Sequence, residues 1–183
     1  MGQPRKKAVL KVVEPLKLDF GCGPHKRAGF KGIDAIKFDG VDYVMDVRKT
    51  PWPWEDASVD EAHTSHFVEH LTGAERVVFF NELYRVMKTG AQITIIVPDW
   101  SNDRAYGDPT HQWPPMSRWS FLYLNKGWRE ANAPHCGYTC DFEGPIGGNV
   151  EPWCSLKAEE AKIFASQHYV NSLSDLVCTL TRK

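Results

Sequence analysis

No apolar run in the 183-residue chain approaches the roughly 18 residues that a bilayer-crossing helix needs. The purest stretch, Ile93 to Val97, suits a buried strand. A one-sided charge is missing too: 22 Lys and Arg stand against 23 Asp and Glu, for a net charge of −1. That balance argues against a domain that coats nucleic acid, although it leaves room for a local basic patch. Arg5, Lys6 and Lys7 lead the chain, but Lys11, Glu14 and Lys17 interrupt any signal-peptide core behind them. Gly2 follows Met1, yet Lys6 stands where myristoylation needs Ser or Thr. Cysteines are few and odd in number, five in all, so reduced thiols and a cytoplasmic location are expected. Internal repeats and low-complexity tracts are lacking. What remains is 42% hydrophobic and 25% charged, the composition of one folded domain over residues 1–183.

Residues 1–15 read as a basic arm, with a short strand at Val9–Val13. Strands are expected at Leu16–Phe20, Phe30–Ile36, Asp42–Val47 and, despite its polar Glu61 and His63, Val59–Thr64. The first ends at the turn cluster Gly21-Cys22-Gly23-Pro24. Gly73–Thr89 reads as a helix. Thr72 and Glu75 have the spacing of a capping box, and Val77, Phe80, Tyr84 and Met87 form an apolar stripe. Gly90 stands where a C′ glycine belongs, and strand Ile93–Val97 follows at once. Lys157–His168 reads as a helix and Tyr169–Arg182 as a closing strand or hairpin. Residues 99–155 form an aromatic, proline-rich insertion with a helix near Met116–Lys126. It reads as a lid or substrate wall over residues 99–153, or as an aromatic mini-core at one end of the sheet. The fold class is α/β, a doubly wound, Rossmann-like, mostly parallel sheet with a closing antiparallel strand.

A strand that ends in Gly-X-Gly, followed by a second strand that ends in an acid, is a nucleoside-binding arrangement. Glycines let backbone approach a ligand with no Cβ in the way, and the acid accepts hydrogen bonds from ribose hydroxyls. Gly21, Gly23 and Asp34 supply these parts. The third glycine of the dinucleotide fingerprint is absent, because position 26 is Lys.

Five segments come in order: Leu18-Asp19-Phe20-Gly21-Cys22-Gly23-Pro24, Gly32-Ile33-Asp34, Met45-Asp46-Val47, Pro53-Trp54-Glu55-Asp56-Ala57-Ser58-Val59-Asp60 and Ser65-His66-Phe67-Val68-Glu69-His70-Leu71. As a set they resemble a class I S-adenosylmethionine-dependent methyltransferase of the small type 11-like group, over residues 16–99. The resemblance implies S-adenosyl-L-methionine as cofactor and a role for each matching position. Asp19 would organise the glycine turn and the methionine amino group. Gly21, Cys22 and Gly23 form the turn itself, with Cys22 no nucleophile. Asp34 would take the ribose hydroxyls. Asp46 would meet the adenine amino group, with the Val47 N–H facing the ring, unless Asp46 merely caps its turn. Ser65 and His66 would lie against the methionine moiety and the transferred methyl. One departure stands out: Gly23 to Phe30 is too short for the about 10–12 residues of a helical crossover, so the first helix is shortened or absent. His25, Lys26 and Arg27 occupy that link, as a basic turn or as partners for the cofactor carboxylate.

Methyl transfer needs an in-line nucleophile, and a base where the acceptor must lose a proton. Asp99, just past the fifth strand, and His111 in Asp108-Pro109-Thr110-His111 are the catalytic candidates. Glu69 and His70 read as loop-positioning or capping residues. His135, Cys136, Cys140 and Cys154 share a loop-rich region, but their spacing is not that of a zinc site, and no metal is expected. The acceptor reads as a small molecule or saccharide, with nucleic acid and protein still open. A catalytically silent S-adenosylmethionine-binding or scaffold protein is the alternative.

Overall fold

The computed structural model describes residues 14–150, 171 and 173–183. Most of the basic arm, its Val9–Val13 strand and the Lys157–His168 helix lie outside the described residues. Strands β1 (Lys17–Phe20), β2 (Lys31–Asp34), β3 (Val41–Val44) and β4 (Val59–Ser65) precede the long helix α1 (Gly73–Val86). Then come β5 (Met87–Pro98), the short helices α2 (Arg104–Gly107), α3 (Arg118–Leu122) and α4 (Lys126–Asn132), and strands β6 (Phe142–Glu143), β7 (Ile146–Val150) and β8 (Leu173–Arg182). One sheet runs β3-β2-β1-β4-β5-β8-β6, with β7 also paired to β8. The first five of these strands pair in parallel, and β8 closes the sheet antiparallel to β5. This is the expected Rossmann-like α/β sheet.

The polar fourth strand holds because its polar residues meet partners on β1. Lys17 stands opposite Glu61, and Asp19 opposite His63. The first pair is a 2.6 Å ion pair, and the second is a 2.7 Å contact between Asp19 Oδ1 and His63 Nδ1. Between them Leu18 and Phe20 are fully buried. Phe20 stacks on Trp52, with centroids 4.9 Å apart, and meets Phe79 of α1 edge-on at 5.4 Å.

Residues 21–30 form turns in place of a crossover helix. Side chains anchor the shortened link. Asp19 Oδ2 accepts from the Arg27 N–H at 2.7 Å, and Lys26 pairs with Asp42 at 2.9 Å. Phe30 is buried beneath Lys17 and Arg27.

Helix α1 begins at the expected capping box: the Thr72 hydroxyl accepts from the Glu75 N–H, and the Glu75 carboxylate accepts from the Thr72 N–H. It ends three residues earlier than its periodicity suggests. Ala57 and Ser58 donate their N–H groups to the carbonyls of Arg85 and Val86, at 3.0 and 2.8 Å. These bonds satisfy orphan carbonyls of the last turn from outside the helix. Met87 turns extended and pairs with Val59. Gly90, at φ +81°, therefore lies within β5 rather than in a helix cap.

The insertion divides. Met116, Phe121, Leu124, Cys140 and Phe142 are buried in the main hydrophobic core, and β6 and β7 extend the sheet. The helix expected near Met116–Lys126 is two short helices separated by a turn. Trp100, Tyr106, Trp113 and Trp119 stay exposed. From Met116 onward the described insertion thus contributes side chains to the main core as well as exposed ones such as Trp119.

Candidate active site

Strand order reverses between β1 and β4, and the crevice beyond the carboxyl ends of the strands at such a switch point is where α/β sheets bind ligands. A cleft of about 160 Å³ opens there, with Ile33, Met45, Val47, Phe67 and Leu71 as apolar walls and Asp34 and Asp46 on its lining. The turn after β1 is held by two N–H groups, of Gly21 and Cys22, that both donate to the Ile33 carbonyl at 2.9 and 3.2 Å. Gly21 has φ +64°, and a Cβ placed on it would lie 2.3 Å from the Phe67 ring. Its missing side chain thus makes room for Phe67. Gly23, at φ +51°, has open space where its Cβ would stand.

Asp34 ends β2 at the cleft. Its Oδ2 accepts from the Gly23 N–H and its Oδ1 from the Ile36 N–H, both at 2.9 Å. Carboxylate oxygens have further lone pairs for ribose hydroxyls. Asp46 lines the cleft in a two-point pair with Arg48, at 2.7 and 3.0 Å, which holds its carboxyl below the usual range. Val47 is buried against the cleft, and its carbonyl accepts from the Trp52 indole at 2.9 Å. Asp19 is 3% exposed, with one oxygen on His63 and the other on the Arg27 N–H. It therefore organises the link after the glycine turn. Burial, reinforced by Asp19 and Asp34, pushes the Cys22 thiol up to about 11, the wrong direction for a nucleophile. Lys26 is taken by Asp42 and Arg27 lies 5.3 Å above Phe30, so of the three basic residues of the link, two already have partners.

A wider basin of about 570 Å³ adjoins the end of β4 and β5, lined by His66, Pro98, Arg104, Asp108 and His111 among others. Ser65 ends β4 opposite Ile96, and the next residue, His66, adopts φ +52°. This turn faces the His66 ring towards Glu69 at 3.5 Å and Asp175 at 3.9 Å. Contact with Glu69 raises the His66 pKa, against partial burial. Asp175 also holds Arg104, at 3.3 Å.

The placement of His111 has a physical cause that the sequence did not signal. Arg76 of α1, 5% exposed, directs its guanidinium to backbone carbonyls: Val68 and Glu69 on one side, Gln112 and Pro114 on the other. It ties the 3-10 turn Val68–His70 to the loop that carries His111. The His70 and His111 rings are then 4.8 Å apart. Asp99 is the other catalytic candidate. It is 2% exposed, and its Oδ1 accepts from the N–H and hydroxyl of Ser101, closing the turn after β5. Its carboxylate is a turn anchor set back from the basin. Cys140 is fully buried, with its thiol pushed up to about 12, and Cys154 lies outside the described residues.

Residues 26–95 match the family model described as "Methyltransferase domain". No curated protein sequence is a significant match. Among solved structures, a SAM-dependent methyltransferase from Archaeoglobus fulgidus is 20% identical, covering 92% of this chain and 86% of its own, with a TM-score of 0.64. The geranyl diphosphate C-methyltransferase of Streptomyces coelicolor A3(2), solved with Mg2+, geranyl diphosphate and S-adenosyl-L-homocysteine, is 18% identical, covering 93% and 74%, with a TM-score of 0.56. A SAM-dependent methyltransferase from Methanosarcina mazei is 14% identical, covering 92% of each chain, with a TM-score of 0.56. The sheet and its switch-point cleft define a Rossmann-like α/β fold. Residues 26–95 thus resemble a methyltransferase domain, and the chain shares the fold of the S-adenosylmethionine-dependent methyltransferases named above. The cleft fits that cofactor chemically, with apolar walls suited to an adenine and the Asp34 carboxylate suited to a ribose.

Proposed function

We propose that this enzyme methylates a small polar acceptor, a saccharide or a comparable small molecule, bound in the basin beside His66 and His111. The observation that carries this reading is the adjacency of the two cavities. His70 lines the cleft, His66 and His111 line the basin, and a Glu69 carboxylate oxygen lies within 4.8 Å of a ring nitrogen of both His70 and His111. The basin falls within the about 300–1,000 Å³ of small-molecule sites and carries both signs of charge, through Arg104 and Asp108.

In this reading the cofactor supplies an electrophilic methyl on its sulfonium. Asp34 holds the ribose, Asp46 and Val47 face the adenine, the Gly21–Gly23 turn carries the methionine portion, and Ser65 and His66 flank the methyl. The acceptor's reacting atom loses its proton at the His111 side. Residues 99–115, with exposed Trp100, Tyr106 and Trp113, close over the acceptor. A cytoplasmic location accords with the reduced thiols.

Calorimetry with S-adenosylmethionine and S-adenosylhomocysteine, joined to a methyl-transfer screen over hydroxylated and amine acceptors, tests the reading. His111→Ala is expected to lower turnover at least tenfold while cofactor affinity changes less than threefold, since a general base contributes about 10²–10⁴ in rate. Absence of cofactor binding would refute the reading. Cofactor binding with no turnover on any acceptor class would favour a silent binding protein instead.

A further inference from the structure

We propose that Glu69, His70 and His111 form a binding site for one divalent first-row transition-metal ion at the junction of cleft and basin, and that this ion holds the oxygen of a hydroxyl acceptor. The proposal rests on the functional reading above and adds an acceptor class to it.

Three observations carry it. The first is convergence: one ligand atom from each of the three residues lies within 4.8 Å of the others. Ligands of one ion with bonds near 2.0–2.2 Å stand about 3–4 Å apart, so small side-chain rotations complete the site. The second is Glu69. It is 3% exposed, yet neither carboxylate oxygen has a hydrogen-bond partner among the described residues. The 3.5 Å approach of His66 is too long for a good hydrogen bond. The guanidinium of neighbouring Arg76 bonds to backbone carbonyls, not to this carboxylate. A buried carboxylate with one long ion-pair contact and no hydrogen bond is under-satisfied, and a metal ion would complete its partners.

The third is the orientation of both imidazoles. His111 Nδ1 lies 3.2 Å from the Ala105 carbonyl, which can only accept, so Nδ1 carries the proton. His70 Nδ1 lies 2.9 Å from the Thr110 hydroxyl oxygen. That hydroxyl donates its single proton to Asp108 Oδ1 at 2.6 Å, and so accepts from His70. Both rings therefore keep their lone pair at Nε2. Such outer hydrogen bonds fix the tautomer of metal-ligating histidines. Asp108 stays occupied with Thr110, its Oδ2 3.9 Å from His111 Nε2. Two imidazoles and one carboxylate suit Zn²⁺, Co²⁺, Mn²⁺ or Fe²⁺ better than Ca²⁺. The expectation of a metal-free chain weighed cysteine spacing alone.

With His70 on the cleft and His111 on the basin, the open positions of such an ion face the place where methyl and acceptor meet. With its Nε2 lone pair on the ion, His111 acts here as a ligand in place of the base assigned to it above, so the acceptor R–OH binds as an alkoxide and its proton leaves to solvent. The alkoxide oxygen forms a bond to the methyl carbon. The S–CH3 bond breaks with its electron pair moving to sulfur, giving R–OCH3 and S-adenosylhomocysteine. An ion lowers the pKa of a bound hydroxyl, which makes this nucleophile available near neutral pH.

The test uses the full chain without a histidine tag, stripped with chelator and titrated with Co²⁺ by visible absorption and calorimetry. One Co²⁺ per chain is expected, with d–d bands. Glu69→Gln and His111→Ala should each weaken binding more than tenfold, Thr110→Val should weaken it about 10–100-fold by releasing His70, and His135→Ala should leave it unchanged. Circular dichroism verifies that each variant is folded. The stripped protein should still bind S-adenosylmethionine and should regain turnover on hydroxyl acceptors when Co²⁺, Mn²⁺ or Zn²⁺ returns. Absence of saturable Co²⁺ binding, binding indifferent to Glu69→Gln and Thr110→Val, or full turnover in chelator overturns the metal site while leaving the methyltransferase reading intact. Loss of cofactor binding by the native protein would instead overturn the reading on which it rests.

Discussion

Replacing Gly21 with Ala probes the turn after β1 more sharply than any charge change. The residue has φ +64°, and its new Cβ would stand 2.3 Å from ring carbons of Phe67 and 2.5 Å from the Phe67 Cβ. Left-handed backbone costs an alanine about 1–2 kcal/mol. Forcing the Phe67 ring aside adds the overpacking cost, about 1–3 kcal/mol. The ring cannot retreat freely, because it packs against the buried Phe79 at 5.9 Å. The sum is about 2–5 kcal/mol. For a chain of this size each kcal/mol lowers Tm by about 2–4 °C, so a fall of roughly 4–20 °C is expected. Gly23→Ala is the internal control. It has φ +51° but nothing within 4 Å of the new Cβ, so only the backbone cost applies. Differential scanning calorimetry on both variants, and on Gly21→Ala in a Phe67→Ala background, separates the two costs. Gly21→Ala should lose clearly more than Gly23→Ala, and the excess should shrink once the Phe67 ring is removed, the contact with the Cβ of residue 67 at 2.5 Å remaining. Equal losses at the two glycines, or an excess that Phe67→Ala leaves undiminished, would refute the steric argument.

Three further outcomes are expected. Asp34→Ala should weaken S-adenosylmethionine binding about 10–100-fold by calorimetry, as loss of a charged acceptor costs about 1.5–3 kcal/mol; unchanged affinity would remove its ribose role. The Asp42 carboxyl is held down to about 2 by its bond from Lys26, then by the Gly32 N–H. Its folded pKa is below the unfolded value, so its contribution to stability is present above about pH 4 and lost as pH falls towards 2. Urea midpoints of wild type and Asp42→Asn should differ at pH 5 and converge near pH 2; a constant gap would show the ion pair to be silent. Hydrogen exchange should be slow for residues 116–124, where Met116, Phe121 and Leu124 are buried, and fast for residues 106–113 without ligand. Protection in residues 106–113 should rise on adding S-adenosylhomocysteine with an acceptor, and a profile that ligands leave unchanged would exclude closure.

Local chemistry determined what could be read from the chain alone. Thr72 and Glu75 satisfy a helix start within four residues, so the start of α1 was legible. Apolar–polar alternation marked the central strands, and the few residues from Gly23 to Phe30 leave no room for a crossover helix. The ordered glycine and acid positions pointed to the cofactor because backbone approach and hydroxyl recognition need those residue types at strand ends. Other features depended on partners distant in the chain. Asp19 meets His63 across 44 residues, and the Thr110 that orients His70 lies 40 residues away. The end of α1 moved because Ala57 and Ser58 satisfy its carbonyls from outside, which no helical periodicity reports. Asp99, a plausible base by position, also closes a turn through Ser101. Glu69 and His70 looked like loop residues because nothing near them in sequence supplies His111. The Arg76 bonds to carbonyls of both segments, the Gln112 N–H on the Glu69 carbonyl and the Thr110 hydroxyl on His70 bring the three together, and contacts made through backbone atoms leave no residue pattern to read.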